Sequence, residues 1–198
     1  MTTGLMKKTN AISLVIVLLL LPASILLADD VGLARLMNKF SGLVERKAAF
    51  IEERHAFYLD EPLKTQGYLR AIPPDRLEKT IASPESIKQV ISGDRIMHTK
   101  NGEKVREISL SQQPVLAAAI NAMRAVLFGD MDFLQKNFQT RYENSNNKWK
   151  LKLVPRQKQI IKYIRSITVS GADDKVSEFL ITEANGDYSK TRLYEVQK

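Results

Sequence analysis

The chain contains no cysteine. That excludes disulfides, thiolate metal sites, a catalytic thiol and a lipidated cysteine at a mature terminus. Histidine is nearly missing as well: His55 and His98 are the two present, and neither has a neighbour at metal-ligand spacing. No nucleophile elbow, phosphate loop or dinucleotide fingerprint occurs. Glu52-Glu53 and Asp173-Asp174 are adjacent pairs, which read as solvated strand and turn positions rather than carboxylates set across a cleft. The expectation is a protein that is not an enzyme, with no metal site and no cofactor. Internal repeats and low-complexity runs are also lacking, and nothing marks a boundary between two domains.

What is present begins with an export pattern. Met1 to Ser13 carries Lys7 and Lys8 and no acid, Leu14 to Leu21 is unbroken apolar sequence, and Ala28 precedes Asp29 and Asp30. A basic start, a short apolar core and a small residue before a polar one describe a signal peptide over residues 1–28. Residues 29–198 then form a single domain, a length that suits one core. The apolar stretch from Ala11 to Ala28 is also just long enough to span a bilayer, so an uncleaved anchor is the alternative. Export without cysteine fits a bacterial envelope compartment, the periplasm. The net charge of +8 on the whole chain suits either an ordinary basic surface or attraction to anionic headgroups. Nucleic acid is not an expected partner, because no element shows the basic and aromatic interleaving of single-strand binders.

Downstream, Leu33, Leu36, Met37 and Phe40 recur at helical spacing, so an amphipathic helix starts at the Asp29-Asp30 cap and ends near Ser41-Gly42. Lys47 to Leu59 alternates like a strand, with neither face cleanly apolar. Gly67 to Ile72 and Arg76 to Ala82 form a hairpin around Pro73-Pro74. Ile87–Ile91, Ile96–Thr99 and Val105–Leu110 follow as strands, the last two joined by Asn101-Gly102, a strong hairpin turn signal. The period then changes. Ser111 caps a helix running to Phe128, with Pro114 in its first turn and Leu116, Ile120, Met123, Val126 and Leu127 on one wide stripe. Gly129 stops it, and Asp130 caps a second helix with Met131, Leu134 and Phe138 on one side. Strands are then expected at Lys148–Val154, Ile160–Ser170, Val176–Thr182 and Lys190–Val196. Hairpin spacing makes the sheet antiparallel, and about ten such strands tend to curl or close unless something fills one side.

The two central helices are the candidates to fill it. Their stripe and methionines match ordinary core packing, and they equally suit a pocket for variable acyl chains. The strand residues add polar groups to the same question. If Leu77 and Ile81 face inward, Lys79 does too; if Phe50 faces inward, so do Glu52 and Arg54. A dry core does not choose such residues.

Several local patterns then add up to a resemblance: Ala49-Phe50-x-Glu52, Gly67-x-Leu69 before the proline turn, Ser92-Gly93-Asp94-Arg95, Pro114-Val115-Leu116, and Trp149-x-Leu151-x-Leu153-x-Pro155. In this order, across the whole mature chain, they resemble the LolA family of periplasmic lipoprotein carriers. The resemblance implies an α+β fold: an open half-barrel of about ten or eleven antiparallel strands, with an N-terminal helix and a central helical lid over an apolar cavity. It implies a monomeric carrier that shields acyl chains of lipoproteins or a related lipid between an inner-membrane transporter and an outer-membrane acceptor. The alternative on the same fold is a ligand-binding sensor or regulatory domain. The expected cavity residues are Phe50, Leu69, Leu77, Lys79 and Ile81 on the strands, with Leu116, Ile120, Met123, Leu127, Leu134 and Phe138 on the helices. The chain departs from the family at two points. Pro73 stands where the family has an arginine that ties the lid to the sheet, and Lys79 stands where an aromatic is usual.

Overall fold

The structure is a computed structural model that describes residues 25–42 and 44–196. Residues 1–24 of the segment read as an export signal lie outside the described residues. The first helix, α1 (Ile25–Ser41), begins four residues before Asp29. Good helix formers at Leu26, Leu27 and Ala28 let the helix run through the expected Asp cap. Its stripe is as anticipated: Leu33, Leu36, Met37 and Phe40 are all buried.

Six strands follow: β1 (Arg46–His55), β2 (Leu63–Ile72), β3 (Arg76–Ser83), β4 (Ile87–Ser92), β5 (Arg95–Lys100) and β6 (Glu103–Ser109). Asn101 and Gly102 both have positive φ, as the hairpin turn between β5 and β6 requires. Helix α2 (Pro114–Phe128) and helix α3 (Met131–Asn137) come next. Ser111 does not cap α2. It lies in a 3-10 turn at Leu110–Gln112, its hydroxyl bonded to Asp94, and α2 starts at Pro114. Asp130 caps α3 as expected, accepting from Phe133 N at 2.9 Å.

The remaining elements are β7 (Phe138–Ser145), β8 (Lys148–Pro155), a one-turn helix α4 (Lys158–Ile161), β9 (Ile164–Ala172), β10 (Lys175–Glu183) and β11 (Tyr188–Glu195). Sequence periodicity misses β7 and α4. Phe138 spaces like a helical residue after Leu134, yet its backbone is extended at φ −131° and ψ 151°. Pairing with β8 from Phe138↔Pro155 to Ser145↔Lys148 outweighs the local helical spacing.

All eleven strands form one open antiparallel sheet in the order β6-β5-β4-β3-β2-β1-β11-β10-β9-β8-β7. The β1–β11 pair joins the two ends of the domain through the register Phe50↔Leu193 and Glu52↔Thr191. Register and alternation settle the faces. Ala48 opposes Leu69, Phe50 opposes Gly67, and Ala71, Leu69 and Gly67 oppose Leu77, Lys79 and Ile81. These residues share the face on which the helices lie. The core sits between the helices and that face, from Ile91 and Ile96 across to Leu151, Val169 and Phe179. Helix α1 packs on α2 and β7, and α2 on α3, α4 and β9. The α1–α2 crossing is close because Gly129, the C-cap of α2 at φ 73°, has no side chain. A Cβ there stands 2.2 Å from the Met37 carbonyl oxygen and 2.6 Å from Ser41 N.

The outer face near β2–β4 is bound by ion pairs instead. Arg70 holds Glu45, and Glu78 meets Arg76, Arg70 and Lys88. Burial alone raises the Glu78 carboxyl pKa, but the hydrogen bond from Arg76 and the charges of Lys88, Arg76 and Arg70 outweigh it and leave it below the ordinary value.

Candidate functional site

A cavity of about 620 Å³ lies between the C-terminal half of α2 and the sheet. That is within the range of pockets that bind small organic molecules, roughly 300–1,000 Å³. Its floor is apolar: Ala48 of β1, Leu69 and Ala71 of β2, Leu77 of β3, Phe179 of β10 and Leu193 of β11. Its roof is Met123 and Leu127 of α2. The mouth lies at the end of the sheet where β1 starts and the β9–β10 turn folds back, and charges gather there. Four of them form two ion pairs, Arg70 with Glu45 and Lys175 with Glu195. The hydrogen bond from Arg70 and its charge hold the Glu45 carboxyl below its ordinary pKa.

Of the eleven residues expected at the cavity, Leu69, Leu77, Met123 and Leu127 line it. Ile120 and Leu134 are buried in the core beneath the helices. Phe138 lines a smaller cavity of about 270 Å³ under the N-terminal half of α2. Leu116 is 40% exposed on α2. Phe50, Lys79 and Ile81 share the inner sheet face with Leu69 but are not among the lining residues. Lys79 is instead a structural cation. Its Nζ donates to Glu52 Oε1 at 2.8 Å and lies 4.9 Å from the Phe50 ring centre. Thr191 donates to the other Glu52 oxygen at 2.7 Å. Lys79, Glu52 and Thr191 thus satisfy one another beside the cavity, while the Thr65 hydroxyl opposite Glu52 is buried without a partner among the described residues.

Two arginines outside the expected set hold the site and the helix over it. Arg46 opens β1 and lines the cavity. Its Nη1 donates to the Asp174 carbonyl at 2.9 Å, and its guanidinium lies over the Phe40 ring at 4.3 Å. Its Nε and Nη2 are buried with no acceptor among the described residues. A buried donor left without a partner costs about 1–3 kcal/mol. Burial pulls the Arg46 pKa below its ordinary value, and the nearby Asp174 carboxylate opposes the shift.

Arg124 is the second. It projects from α2, and its Nη1 donates to the Gly93 carbonyl in the β4–β5 turn at 2.9 Å. Gly93 N in turn donates to Asp75 Oδ2, at the β2–β3 turn, at 2.6 Å. Asp94 accepts from the Ser109 and Ser111 hydroxyls and from Ser111 N, and these bonds hold its carboxyl below the ordinary range. The lid helix is therefore tied to two sheet turns through an arginine of its own, although Pro73 occupies the position of the family's arginine. The Ser92-Gly93-Asp94-Arg95 turn supplies the acceptors. A cation inside the otherwise apolar run Ala122 to Val126 was the one available clue.

The family described as outer membrane lipoprotein carrier protein LolA-like matches residues 27–196. No curated protein matches the chain significantly. Among solved structures, a LolA superfamily protein from Nitrosomonas europaea is 8% identical, with a TM-score of 0.43 over 81% of this chain and 90% of that one. A putative outer membrane lipoprotein-sorting protein domain from Vibrio parahaemolyticus is 10% identical, with a TM-score of 0.45 over 84% and 90%. A chain of the CwlD amidase–GerS lipoprotein complex from Clostridioides difficile is 13% identical, with a TM-score of 0.43 over 98% and 99%.

Proposed function

The chain belongs to the LolA-like family of outer membrane lipoprotein carrier proteins, and on that premise we propose that it is a non-catalytic carrier that shields acyl chains within the cell envelope. The observation that carries this reading is the apolar cavity between α2 and the sheet, floored by Leu69, Leu77 and Leu193 and roofed by Met123 and Leu127. Burying a methylene contributes about 0.8 kcal/mol. Ten methylenes therefore supply roughly 8 kcal/mol against the cost of ordering the chain and parting the lid. Met123 has the soft, unbranched side chain that adapts to an irregular occupant.

In this reading the protein acts in the periplasm as a monomer. It receives an acylated lipoprotein or lipid from an inner-membrane transporter and passes it to an outer-membrane acceptor. Passing the cargo on requires an occupant that competes with the lid rather than one sealed beneath it. Arg124 and its single bond to the Gly93 carbonyl suit a lid that opens.

The test is saturable uptake of a hydrophobic fluorophore by the purified protein, followed by titration with dodecanoate or an acylated peptide. Displacement of the fluorophore supports the carrier reading. No saturable uptake, or uptake that acylated molecules leave unchanged, refutes it.

A further inference from the structure

Building on that reading of the cavity, we infer that Arg46 makes it selective for amphiphiles whose alkyl chain ends in an anionic oxygen acid, a carboxylate or a phosphate. The cavity has two chemical halves. Ala48, Leu69 and Leu193 are apolar and suit a chain. At the mouth stands a guanidinium held from two sides, by the Phe40 ring and by the Asp174 carbonyl. This hold fixes its plane and leaves Nε and Nη2 without acceptors. Nε and one Nη form one edge of the guanidinium fork, the edge that binds a carboxylate or phosphate through two parallel hydrogen bonds.

The neighbouring charges leave Arg46 available. Of the acids at the mouth, Glu45 is taken by Arg70 and Glu195 by Lys175. Asp174 engages Arg46 through its backbone oxygen, and its carboxylate acts on it only through space. Asp173 gives its backbone oxygen to Trp149 Nε1, and its carboxylate acts through space on Lys175. Lys47, the next residue of β1, is a second cation at the cavity rim, turned to the outer sheet face with its Nζ 5.7 Å from the Tyr68 ring. A neutral acyl ester lacks the charge that repays burial of the fork.

The experiment compares dodecanoate, methyl dodecanoate and inorganic phosphate as competitors for a bound hydrophobic fluorophore at pH 8. The full chain is used as wild type, Arg46→Gln and Arg46→Lys. The methyl ester is the more hydrophobic ligand, so a cavity that works by partition alone prefers it. Wild type is expected to bind dodecanoate about tenfold more tightly than the ester, as a charge-assisted pair requires. Arg46→Gln should lose that preference and keep its affinity for the ester. Arg46→Lys, which keeps the charge but not the fork, should fall between. Equal binding of acid and ester by wild type, or a preference that survives in Arg46→Gln, overturns the inference and leaves the acyl cavity standing. Displacement by inorganic phosphate alone overturns it too, because recognition then needs no chain. If neither dodecanoate nor the ester displaces the fluorophore, the acyl reading itself fails, and the inference with it. The wild-type comparison decides the question even if Arg46→Gln does not fold.

Discussion

Gly129→Ala tests the contact that seats the lid. Two independent penalties fall on this residue. At φ 73° an alanine occupies the left-handed region, at about 1–2 kcal/mol. Its Cβ also meets the Met37 carbonyl oxygen at 2.2 Å and Ser41 N at 2.6 Å. Both are backbone atoms of α1 and cannot swing aside, so the helices must part, and such overpacking costs about 1–3 kcal/mol. The sum is about 2–5 kcal/mol, or a fall of roughly 5–15 °C in Tm for a domain of this size. Gly186→Ala is the control. It has φ 100° with nothing within 4 Å of the added Cβ, so it carries the strain alone, and about 1–2 kcal/mol is expected. Differential scanning calorimetry of wild type and both variants gives the comparison. A Gly129→Ala variant that melts no lower than Gly186→Ala would refute the tight α1–α2 crossing.

Three further outcomes follow from the same contacts. Arg124→Met removes the bond from α2 to the Gly93 carbonyl and should speed fluorophore uptake by roughly fivefold in stopped-flow traces, the scale of one net hydrogen bond; an unchanged rate would remove Arg124 from lid control. Lys79→Met leaves Glu52 half-buried with Thr191 as its remaining donor, so it should lower Tm by a few degrees, about 1–2 kcal/mol. Adding Glu52→Gln should restore most of that loss, and a double variant no better than the single would show that the pair is not coupled. Glu78 is held below its ordinary pKa, so its ionised form stabilises the fold above the unfolded value, about pH 4.3, and that contribution fades as the pH falls through the folded value. The Tm gap between wild type and Glu78→Gln should therefore be present at pH 7 and closed near pH 3; a gap that widens on acidification contradicts the assignment.

The elements legible in the sequence are those encoded by local chemistry. The α1 stripe of Leu33, Leu36, Met37 and Phe40 needs only helical spacing. The β5–β6 hairpin needs only Asn101-Gly102. The family match over residues 27–196 agrees with a likeness read from element order and turn motifs. Strand β7 was hidden because it is an edge strand with few inward apolar residues, Phe138 and Tyr142 among them. Its Phe138 also completes a four-residue spacing from Leu134 that reads as helix. The facing of β1 could not be read from its own residues. It is set by β11, from the far end of the chain. The site arginines were hidden for the same reason. Arg46 finds its acceptor 128 residues away, and Arg124 finds one 31 residues away. Lys79 shares the inner face with Leu77 and Ile81, but Glu52, a partner 27 residues away, holds it outside the cavity lining.

The most direct measurement is photo-crosslinking with a fatty acid bearing a diazirine along its chain, followed by mass spectrometry of the labelled peptides. An acyl chain held between α2 and the sheet predicts labels on Leu69, Met123, Leu127 and Leu193, suppressed by excess dodecanoate. Labels confined to exposed positions such as Phe57 and Tyr68, with the cavity residues untouched, would contradict it.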